Sequence, residues 1–301
     1  MTLPEPVEPR RCDYEGSNYQ ETFWDSGERL YEDLAEAAAL RRLLPPSGSL
    51  LLEIGAGAGR NTPRYQGHQK VVLLDYSLSQ LIQARQRLGA NERYLYVAAD
   101  VFQMPFVSGL FDTATMIRVL HHLTDGRRAF AEIRRVLQPQ GVFVLEYANK
   151  LNAKAIGRYL AGRQAWSPFD PQPVQFVELN FNFHPKTTRS WLVEKGFQIE
   201  KQRAVSFFRI ELIKRAIDAR LLARVDSLLQ PIGALALFSP SLFVRSRAVG
   251  ASLRAGPGEF FRCPACGQVG FHRTQSSLDC STCGRIWPIE DGIYNFKQQA
   301  D

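Results

Sequence analysis

The 301-residue sequence predicts an α/β protein with a doubly wound, mostly parallel sheet, followed by a small cysteine-rich module. Three observations support this fold class. Short apolar runs alternate with longer amphipathic runs up to about residue 150, four cysteines cluster near the C-terminus, and the apolar content of 45% suffices for one large core. Strands that alternate with helices pair in parallel through right-handed crossovers.

The individual elements follow from the periodicity of the apolar residues. Short apolar runs predict strands over residues 50–54, 70–75, 93–100, 111–117 and 141–148. Helical spacing predicts helices over 26–44 (with Ser26 as the cap), 59–66, 78–88 and 125–137. Beyond residue 150 we expect helices over 150–162, 186–195 and 209–230 and strands over 197–208 and 241–249.

The order of these predicted elements and the local composition divide the chain into four segments. Residues 1–25 are polar and rich in proline and acids, which predicts an arm. Residues 26–250 hold the large domain, in which 151–240 form an insert rich in proline and aromatic residues. Residues 251–261 are expected to be a linker to the cysteine module at 262–301.

The net charge of +7 comes from one part of the chain. Residues 151–260 hold 16 Lys and Arg against 8 Asp and Glu, whereas the other residues hold 21 against 22. A basic surface can serve an anionic substrate, a nucleic acid or a membrane face, but solvated charge on helices is the more common cause. No apolar run reaches the roughly 20 residues of a membrane span, and the N-terminus lacks the apolar core of a signal peptide. We therefore expect a cytoplasmic protein without a transmembrane segment.

The segment LLEIGAGAGR, residues 51–60, places three glycines directly after an apolar run. Such glycines let the backbone turn sharply and let a ligand approach the N-terminus of a helix. A dinucleotide fingerprint would need a third glycine at position 60, which is Arg60. Glu53, just before the loop, would repel a phosphate and attract an ammonium group. The loop therefore predicts a nucleotide-like ligand that carries an amine and lacks phosphate.

Two more acids end the next two strands. Asp75 follows Gly55 by 20 residues, where a carboxylate can accept both hydroxyls of a ribose. Asp100 precedes Val101 and Phe102, so it can meet the exocyclic amine of an adenine while its neighbours flank the ring. A single acid at a strand end is more often a helix cap or a surface group. The ordered set of three predicts a site for S-adenosylmethionine.

At these motifs the sequence resembles the class I S-adenosylmethionine-dependent methyltransferases of the type-11 group, over about residues 26–150. The motifs that carry the resemblance are LLEIGAGAGR, VVLLDYS, AADVFQMPF, FDTATMIRVLHHL and RRVLQPQGVFVLE. The resemblance implies a Rossmann-like, seven-stranded sheet whose last two strands are antiparallel. The LQPQG turn departs from the usual Pro-Gly-Gly. The cofactor-binding residues that it implies are Glu53, Gly55, Gly57, Gly59, Asp75, Tyr76, Asp100, Val101 and Arg118.

The acceptor is expected over the carboxyl ends of the fourth and fifth strands. The residues placed there are Arg118, His121, His122, Glu146, Tyr147 and Asn149. Arg118 is predicted to position the substrate or the cofactor, and His121 is a candidate general base, with a structural role as its alternative. The aromatic stretch 166–184 predicts a lid or acceptor wall, or else core. Tyr19, Phe23 and Trp24 either close the other side or belong to an arm without a ligand.

The cysteines form two pairs, CPAC at 263–266 and CSTC at 280–283, separated by 13 residues. This spacing is typical of a structural Zn²⁺ site with Cys263, Cys266, Cys280 and Cys283 as ligands, and thiol redox chemistry is the alternative. The module also resembles, over 262–296, the zinc-ribbon activator subunit of tRNA, ribosomal and release-factor methyltransferases. Its DGIYNF departs from the usual proline after Asp-Gly-Ile.

Together these features predict a methyltransferase fused to a zinc ribbon, with the acceptor left open. The aromatic lid favours a small or lipid-like metabolite. The basic segment and the ribbon favour docking of RNA or protein, and a non-catalytic cofactor-binding scaffold is a third hypothesis. The predicted helix 209–230 could rest on a membrane or on RNA, but a crossover helix packed on the sheet is favoured.

Overall fold

The structure is a computed structural model that describes residues 9–18, 20–25, 27–236, 238–250 and 253–297. The strands in these residues are β1 (Gly48–Ile54), β2 (His68–Asp75), β3 (Tyr94–Ala98), β4 (Phe111–Met116), β5 (Leu137–Ala148), β6 (Val174–Val177), β7 (Asn180–Asn182), β8 (Phe197–Val205), β9 (Ser241–Ala248), β10 (Phe271–Arg273), β11 (Ser277–Cys280), β12 (Ile286–Glu290) and β13 (Ile293–Asn295). The α-helices are α1 (Leu30–Leu43), α2 (Leu78–Leu88), α3 (Gly126–Val136), α4 (Ala153–Leu160), α5 (Pro185–Glu194), α6 (Glu211–Ala216) and α7 (Ala219–Ala236). A π-helix spans Gln20–Asp25, and 3₁₀ turns span Thr62–Arg64 and Leu120–His122.

Seven strands build the central sheet in the order β3-β2-β1-β4-β5-β9-β8. Strands β1 to β5 run parallel, whereas β9 pairs antiparallel with both β5 and β8. This arrangement confirms the predicted doubly wound sheet whose last two strands along the chain, β8 and β9, pair antiparallel. Because the parallel strands share one direction, their carboxyl ends meet at one edge, where ligands bind in open α/β sheets.

Helices cover both faces of this sheet. On one face α3 and α5 contribute Phe130 and Leu192 to the core. On the other face α1 and α7 contribute Leu40 and Leu222, and α2 packs over the neighbouring strands. Burial of one such side chain stabilises the fold by roughly 1.5–3 kcal/mol. The two layers of helices therefore hold the sheet from both sides and leave its carboxyl edge accessible.

Two helix predictions differ from the structure. The predicted helix at 59–66 is wrong, because that segment forms only the 3₁₀ turn after the glycine loop. Gly59 has a φ of 75°, outside the helical region, and the Thr62 hydroxyl donates to the Glu53 carboxylate at 2.6 Å. The predicted helix at 209–230 is two helices, because the Asp218 carboxylate accepts the N–H groups of Arg220 and Leu221 and starts α7 anew.

The cysteine module extends the central sheet. Its strands continue the order as β10-β11-β12-β13-β3, so the sheet has eleven strands in the described residues. Strand β13 pairs in parallel with β3, with Ile293 opposite Tyr96 and Asn295 opposite Ala98. The edge of β3, which would otherwise expose unpaired backbone groups, is therefore covered by the same chain.

Aromatic side chains join the module to the large domain. Phe106, which follows β3, lies with its ring centroid 6.1 Å from that of Phe261. Phe261 in turn lies 5.0 Å from both Tyr294 and Phe296. The N–H of Val107 also donates to the carbonyl of Phe260 in the segment predicted as a linker. The module shares one core with the large domain instead of forming a separate unit.

The insert predicted at 151–240 contains α4, the hairpin β6–β7, α5, strand β8 of the central sheet, α6 and α7. Its aromatic residues divide, since Phe183 is buried in the core whereas Phe169 and Phe176 are exposed. No helix in the described residues is long and apolar enough to cross a bilayer. Residues 1–8, Tyr19, Ser26, 251–252 and 298–301 lie outside the described residues, so the predicted cap and the full extent of the arm, linker and ribbon are not tested.

Candidate active site

A cavity lies at the carboxyl edge of the sheet. It is bounded by the ends of β1, β2 and β4, by the glycine loop and by the N-terminal segment, defined as residues 9–18 and 20–25. Among the predicted site residues that line it are Gly55, Gly57, Asp75, Tyr76, Val101, Arg118 and His122. The N-terminal segment adds Arg11, Cys12, Tyr14, Gln20 and Trp24.

The glycine loop forms one wall of the cavity. Gly55 and Gly57 have φ values of 67° and 51°, which favour glycine, and a Cβ on Gly55 would overlap the side chain of Val119. A Cβ on Gly57 would meet nothing closer than Gln80 Oε1 at 3.9 Å, so this residue faces open space. Gly59 does not line the cavity, because it packs against Leu88 of α2. The loop thus offers a bare backbone surface to a ligand.

Asp75 is held by the loop that it faces. Its Oδ2 accepts the N–H of Gly57 at 2.7 Å, and its Oδ1 accepts the N–H of Ser77 at 2.9 Å. Burial raises the pKa of Asp75, although these backbone donors oppose the shift. Each oxygen keeps a lone pair for a further donor. Tyr76, the next residue, lines the same corner of the cavity.

Arg11 occupies the corner predicted for the adenine, and sequence reasoning missed it. Its guanidinium lies 3.6 Å from the ring centroid of Tyr76 and forms an ion pair with Asp100 at 2.5 Å. The other Asp100 oxygen accepts the N–H of Phe102 at 2.9 Å. Asp100 therefore does not line the cavity itself, whereas the adjacent Val101 does. No sequence signal pointed to Arg11, because its partner lies 89 positions away along the chain.

Glu53 does not reach the cavity, which differs from its predicted contact with the amine of the cofactor. Its carboxylate is buried under the loop, where it accepts the hydroxyls of Thr62 at 2.6 Å and Tyr65 at 3.2 Å. Burial raises the pKa of Glu53 to about 7. The carboxylate thus anchors the 3₁₀ turn that follows the glycines.

Arg118 lies at the end of β4 with a φ of 59°, a conformation that costs a non-glycine residue energy. Its N–H donates to Glu146 Oε2 at 2.8 Å, and its Nε donates to Glu36 Oε1 at 2.8 Å. Its guanidinium carbon lies 4.8 Å from the ring centroid of Trp24 in the N-terminal segment. These contacts fix the Arg118 side chain beside the cavity.

Glu36 of α1 is fully buried and was not predicted from the sequence. It pairs with three arginines, namely Arg118, Arg60 at 2.9 Å and Arg209 at 3.9 Å. Although burial opposes its ionisation, Arg118 and Arg60 lower the pKa of Glu36 to about 2. A glutamate on the apolar side of a predicted helix was the available signal, because such a position requires a partner when buried.

The structure distinguishes the two histidines. His122 lines the cavity, where its Nε2 lies 3.0 Å from the Tyr14 hydroxyl and its Nδ1 lies 3.2 Å from the Leu179 carbonyl. His121 does not line the cavity, and its buried Nδ1 has no hydrogen-bond partner among the described residues. Burial lowers the pKa of both, that of His121 well below its ordinary value. Of the two histidines, His122 and not the predicted candidate His121 lines the cavity.

Three other residues predicted near the acceptor are buried instead: Glu146, Tyr147 and Asn149. Glu146 accepts the hydroxyl of Ser241 at 2.5 Å, and the Asn149 side chain donates to the Ser239 carbonyl at 2.8 Å. They tie β5 to β9 and to the segment before it. None of the three lines the cavity.

The four cysteine sulfur atoms all lie within 4.8 Å of one another. The Sγ atoms of Cys263 and Cys283 are 3.8 Å apart, and those of Cys266 and Cys280 are 3.6 Å apart. Four thiolates placed tetrahedrally at about 2.3 Å from a zinc ion would be about 3.8 Å apart. The donor set and its spacing therefore fit Zn²⁺.

Comparison with known proteins agrees with this site. Residues 52–145 match the family model described as "Methyltransferase domain". Demethylmenaquinone methyltransferase of Clavibacter sepedonicus is 30% identical over 115 residues, which cover 38% of this chain and 47% of that protein. O-methyltransferase cnsE of Penicillium expansum is 31% identical over 137 residues, which cover 44% and 48%. The chain spans about half the length of these curated relatives.

Solved structures agree as well. An S-adenosylmethionine-dependent methyltransferase from Mesorhizobium loti superposes with a TM-score of 0.50 at 26% identity, covering 71% of this chain and 97% of that one. A complex between the Trm112 methyltransferase activator of Haloferax volcanii and a candidate methyltransferase gives a TM-score of 0.54 at 15% identity, covering 77% and 96%, which shows the fold alone.

The sheet order and these matches show the Rossmann-like fold of class I S-adenosylmethionine-dependent methyltransferases. Residues 52–145 match the methyltransferase domain, and the cysteine module is attached to the β3 edge of the same sheet.

Glu36→Gln is expected to destabilise the protein by about 3–5 kcal/mol, because it leaves three arginines without their buried partner. The matched control is Glu211→Gln, whose exposed carboxylate pairs with Arg215 on the surface, and about 0.5 kcal/mol is expected there. Urea unfolding at pH 7 measures both. Equal changes in the two variants would contradict the role of Glu36.

The contribution of Glu36 to the stability of the fold depends on pH in a defined direction. The folded-state pKa of Glu36 is depressed from 4.5 to about 2, so its contribution is present above pH 4.5 and is lost as the pH falls towards 2. The difference in stability between wild type and Glu36→Gln should therefore shrink below pH 4.5.

Proposed function

We propose that this protein transfers the methyl group of S-adenosylmethionine to a small or lipid-like acceptor. The observation that supports this most is the cavity in which the glycine loop, Asp75 and Val101 meet at the carboxyl ends of three neighbouring strands. In this proposal the methionine part lies against Gly55 and Gly57, the ribose against Asp75 and Tyr76, and the adenine beside Val101.

Each group of the cofactor has a matching surface. Asp75 can accept ribose hydroxyls beside the backbone N–H groups of Gly57 and Ser77. Asp100 can accept the adenine amine once Arg11 moves off it or shares the carboxylate. Glu53 and Gly59 act indirectly in this proposal, since they hold the turn behind the loop.

The bound cofactor supplies a methyl group that its sulfonium already activates. The protein then has to align the acceptor atom with the methyl group and exclude water, which can lower the barrier by roughly 7–11 kcal/mol. Arg118 and Trp24 line the cavity beside the glycine loop and are fixed by Glu36 and Arg60. We assign a positioning role to Arg118.

The enclosure of the cavity favours a small or lipid-like acceptor over a macromolecule. The N-terminal segment covers the cavity with Cys12, Tyr14 and Trp24, and its backbone pairs with the 3₁₀ turn through Cys12 N–H and the His122 carbonyl. A folded RNA or protein would meet this cover before the cofactor. Relatives named demethylmenaquinone and sterol methyltransferases agree with an apolar acceptor.

His122 is the residue that we propose as the general base when the acceptor carries a proton. The Leu179 carbonyl can only accept, so Nδ1 of His122 carries the ring proton and the Nε2 lone pair accepts the Tyr14 hydroxyl, which the acceptor's proton-bearing group would have to replace. Nε2 faces the Tyr14 hydroxyl inside the cavity. Since burial lowers the pKa of His122, its imidazole is neutral at pH 7 and able to take a proton.

We further propose that the four cysteines hold one structural Zn²⁺ ion and that residues 262–301 act within the chain. The Gln103 side chain donates to the Pro264 carbonyl, and Arg262 N–H donates to the Pro105 carbonyl at 3.0 Å. The ribbon therefore supports the segment that follows Asp100. Because β13 already pairs with β3, this edge is not free to recruit a separate RNA or protein partner.

Asp75→Asn is expected to weaken binding of S-adenosylhomocysteine about 10- to 100-fold, because an amide cannot accept two backbone donors and two ribose hydroxyls. Calorimetry measures the dissociation constant. Asp112→Asn is the matched control, since Asp112 accepts the N–H groups of Ser49 and Leu50 at the opposite edge of the sheet. If wild-type protein takes up neither S-adenosylmethionine nor S-adenosylhomocysteine, the proposed function is refuted.

His122→Gln is expected to reduce methyl transfer by about 10²-fold or more while cofactor affinity stays within about two-fold. The assay follows labelled methyl from S-adenosylmethionine into a cell extract that is then separated into solvent-soluble, RNA and protein fractions. His121→Gln is the control and should keep its rate. Label in the RNA or protein fraction would support the alternative acceptors, and bound cofactor without any transfer would support a scaffold.

Removal of the metal is expected to loosen the cofactor site. Wild-type protein should contain about one zinc per chain, and Cys280→Ser should lose it together with part of its thermal stability and cofactor affinity. Cys12→Ser should retain the metal, because Cys12 is remote from the cluster in the described residues. Full zinc content in Cys280→Ser would argue against the assigned ligands.

A further inference from the structure

Helix α7 has two different apolar faces. Its inner face, which includes Leu222 and Ala223, is buried against α1 and β8. Its outer face is formed by residues spaced four, three and four positions apart, which lie on one side of a helix. These residues are exposed by 52%, 39%, 71% and 66%, and they are Leu221, Val225, Leu228 and Ile232.

The exposed face continues onto α6. Ile210, Leu212 and Ile217 are exposed by 54%, 79% and 40%. Together with Leu229 and the four residues of α7 they form what we call the α6–α7 surface. A cluster of exposed aliphatic side chains of this size marks an interaction site, because isolated exposed leucines are common but a continuous row is not.

Basic side chains flank this row. Arg220 and Arg224 lie one position before Leu221 and Val225, are exposed, and make no ion pair among the described residues. The acidic side chains of α6 and α7 and of the residues between them already have other partners. Asp226 is buried and accepts the Tyr31 hydroxyl, Asp218 caps α7, and Glu211 pairs with Arg215. The exposed charge beside the apolar row is therefore positive.

We propose that the α6–α7 surface binds the interface of an anionic phospholipid bilayer, with α7 lying in the membrane plane. An aliphatic row that enters the acyl boundary, flanked by arginines at the level of the phosphates, is the arrangement of an interfacial helix.

The side chains of the α6–α7 surface argue against two other partners, a second copy of this chain and RNA. A two-fold dimer through this surface would bring the same patch of both copies together, so Arg220 and Arg224 would face like charges. RNA would gain from the arginines, but an aliphatic row offers no ring on which bases stack. An anionic bilayer matches both the row and its positive flank.

The surface begins beside the active site. Arg209 pairs with Glu36 at 3.9 Å, Glu36 holds Arg118 at the cavity, and Ile210 follows Arg209 directly. Docking would place the cavity near the bilayer, so a lipid-like acceptor could enter from it. That last step rests on the proposed function, whereas membrane binding itself does not.

The test is sedimentation of the full chain with large vesicles of phosphatidylcholine alone or with phosphatidylglycerol added. Wild type should bind the anionic vesicles and bind the zwitterionic ones at least about ten-fold more weakly. Leu228→Glu with Ile232→Glu should lower binding to anionic vesicles about ten-fold or more, and Arg220→Glu with Arg224→Glu should abolish the preference for them.

Ile286→Glu, on the ribbon, is the matched control because Ile286 is 63% exposed, and it should bind like wild type. Thermal unfolding and calorimetry with S-adenosylhomocysteine confirm that each variant is folded. Loss of vesicle binding with intact cofactor binding therefore supports the membrane proposal independently of the proposed function. The proposal is overturned if wild type ignores vesicles or if the Leu228 and Ile232 variant binds like wild type. A wild-type dimer that this variant dissociates, without vesicle binding, would assign the surface to a second copy.

Discussion

The buried carboxylate of Glu36 is the interaction on which the site depends. Through Arg60 it holds the glycine loop, through Arg118 it holds the end of β4, and through Arg209 it holds the start of α6. Three separate parts of the chain thus converge on one negative charge in α1. A buried ion of this kind is costly unless fully paired, so the fold reaches its lowest free energy only when all three parts are in place. The glycine loop, the end of β4 and the start of α6 are therefore formed together.

Much of the fold could be predicted because its signals are local. The apolar runs of β1 to β5 and the stop signals of α2 and α3 lie within a few residues of the features that they define. The glycine loop and Asp75 were likewise predictable, since their spacing follows strand ends. Arg11 was not, because an ion pair between distant segments leaves no pattern in either one, and the sequence signal for Glu36 was limited to its place on the apolar side of a predicted helix. The sequence also could not distinguish His121 from His122, because the turn at Leu120–His122 determines which ring faces the cavity.

The packing of the cysteine module against the large domain could not be predicted from the motifs either. Paired cysteines indicate a metal site, but nothing in their spacing indicates where the module packs. The parallel pairing of β13 with β3 and the contacts around Phe261 make the ribbon a part of the larger core. A module of about 40 residues that cannot fold by its own apolar burial gains stability from its neighbour and would gain more from the proposed metal. In turn it shields a sheet edge prone to aggregation.

The pairing of β13 with β3 has a consequence for biosynthesis. Ile293 and Tyr96 are partners that lie far apart in the chain, so the sheet cannot be completed until Ile293 has left the ribosome. Until then the nascent polypeptide presents an unprotected strand together with Phe106. Because the covering strand belongs to the same polypeptide, it is always made in equal amount.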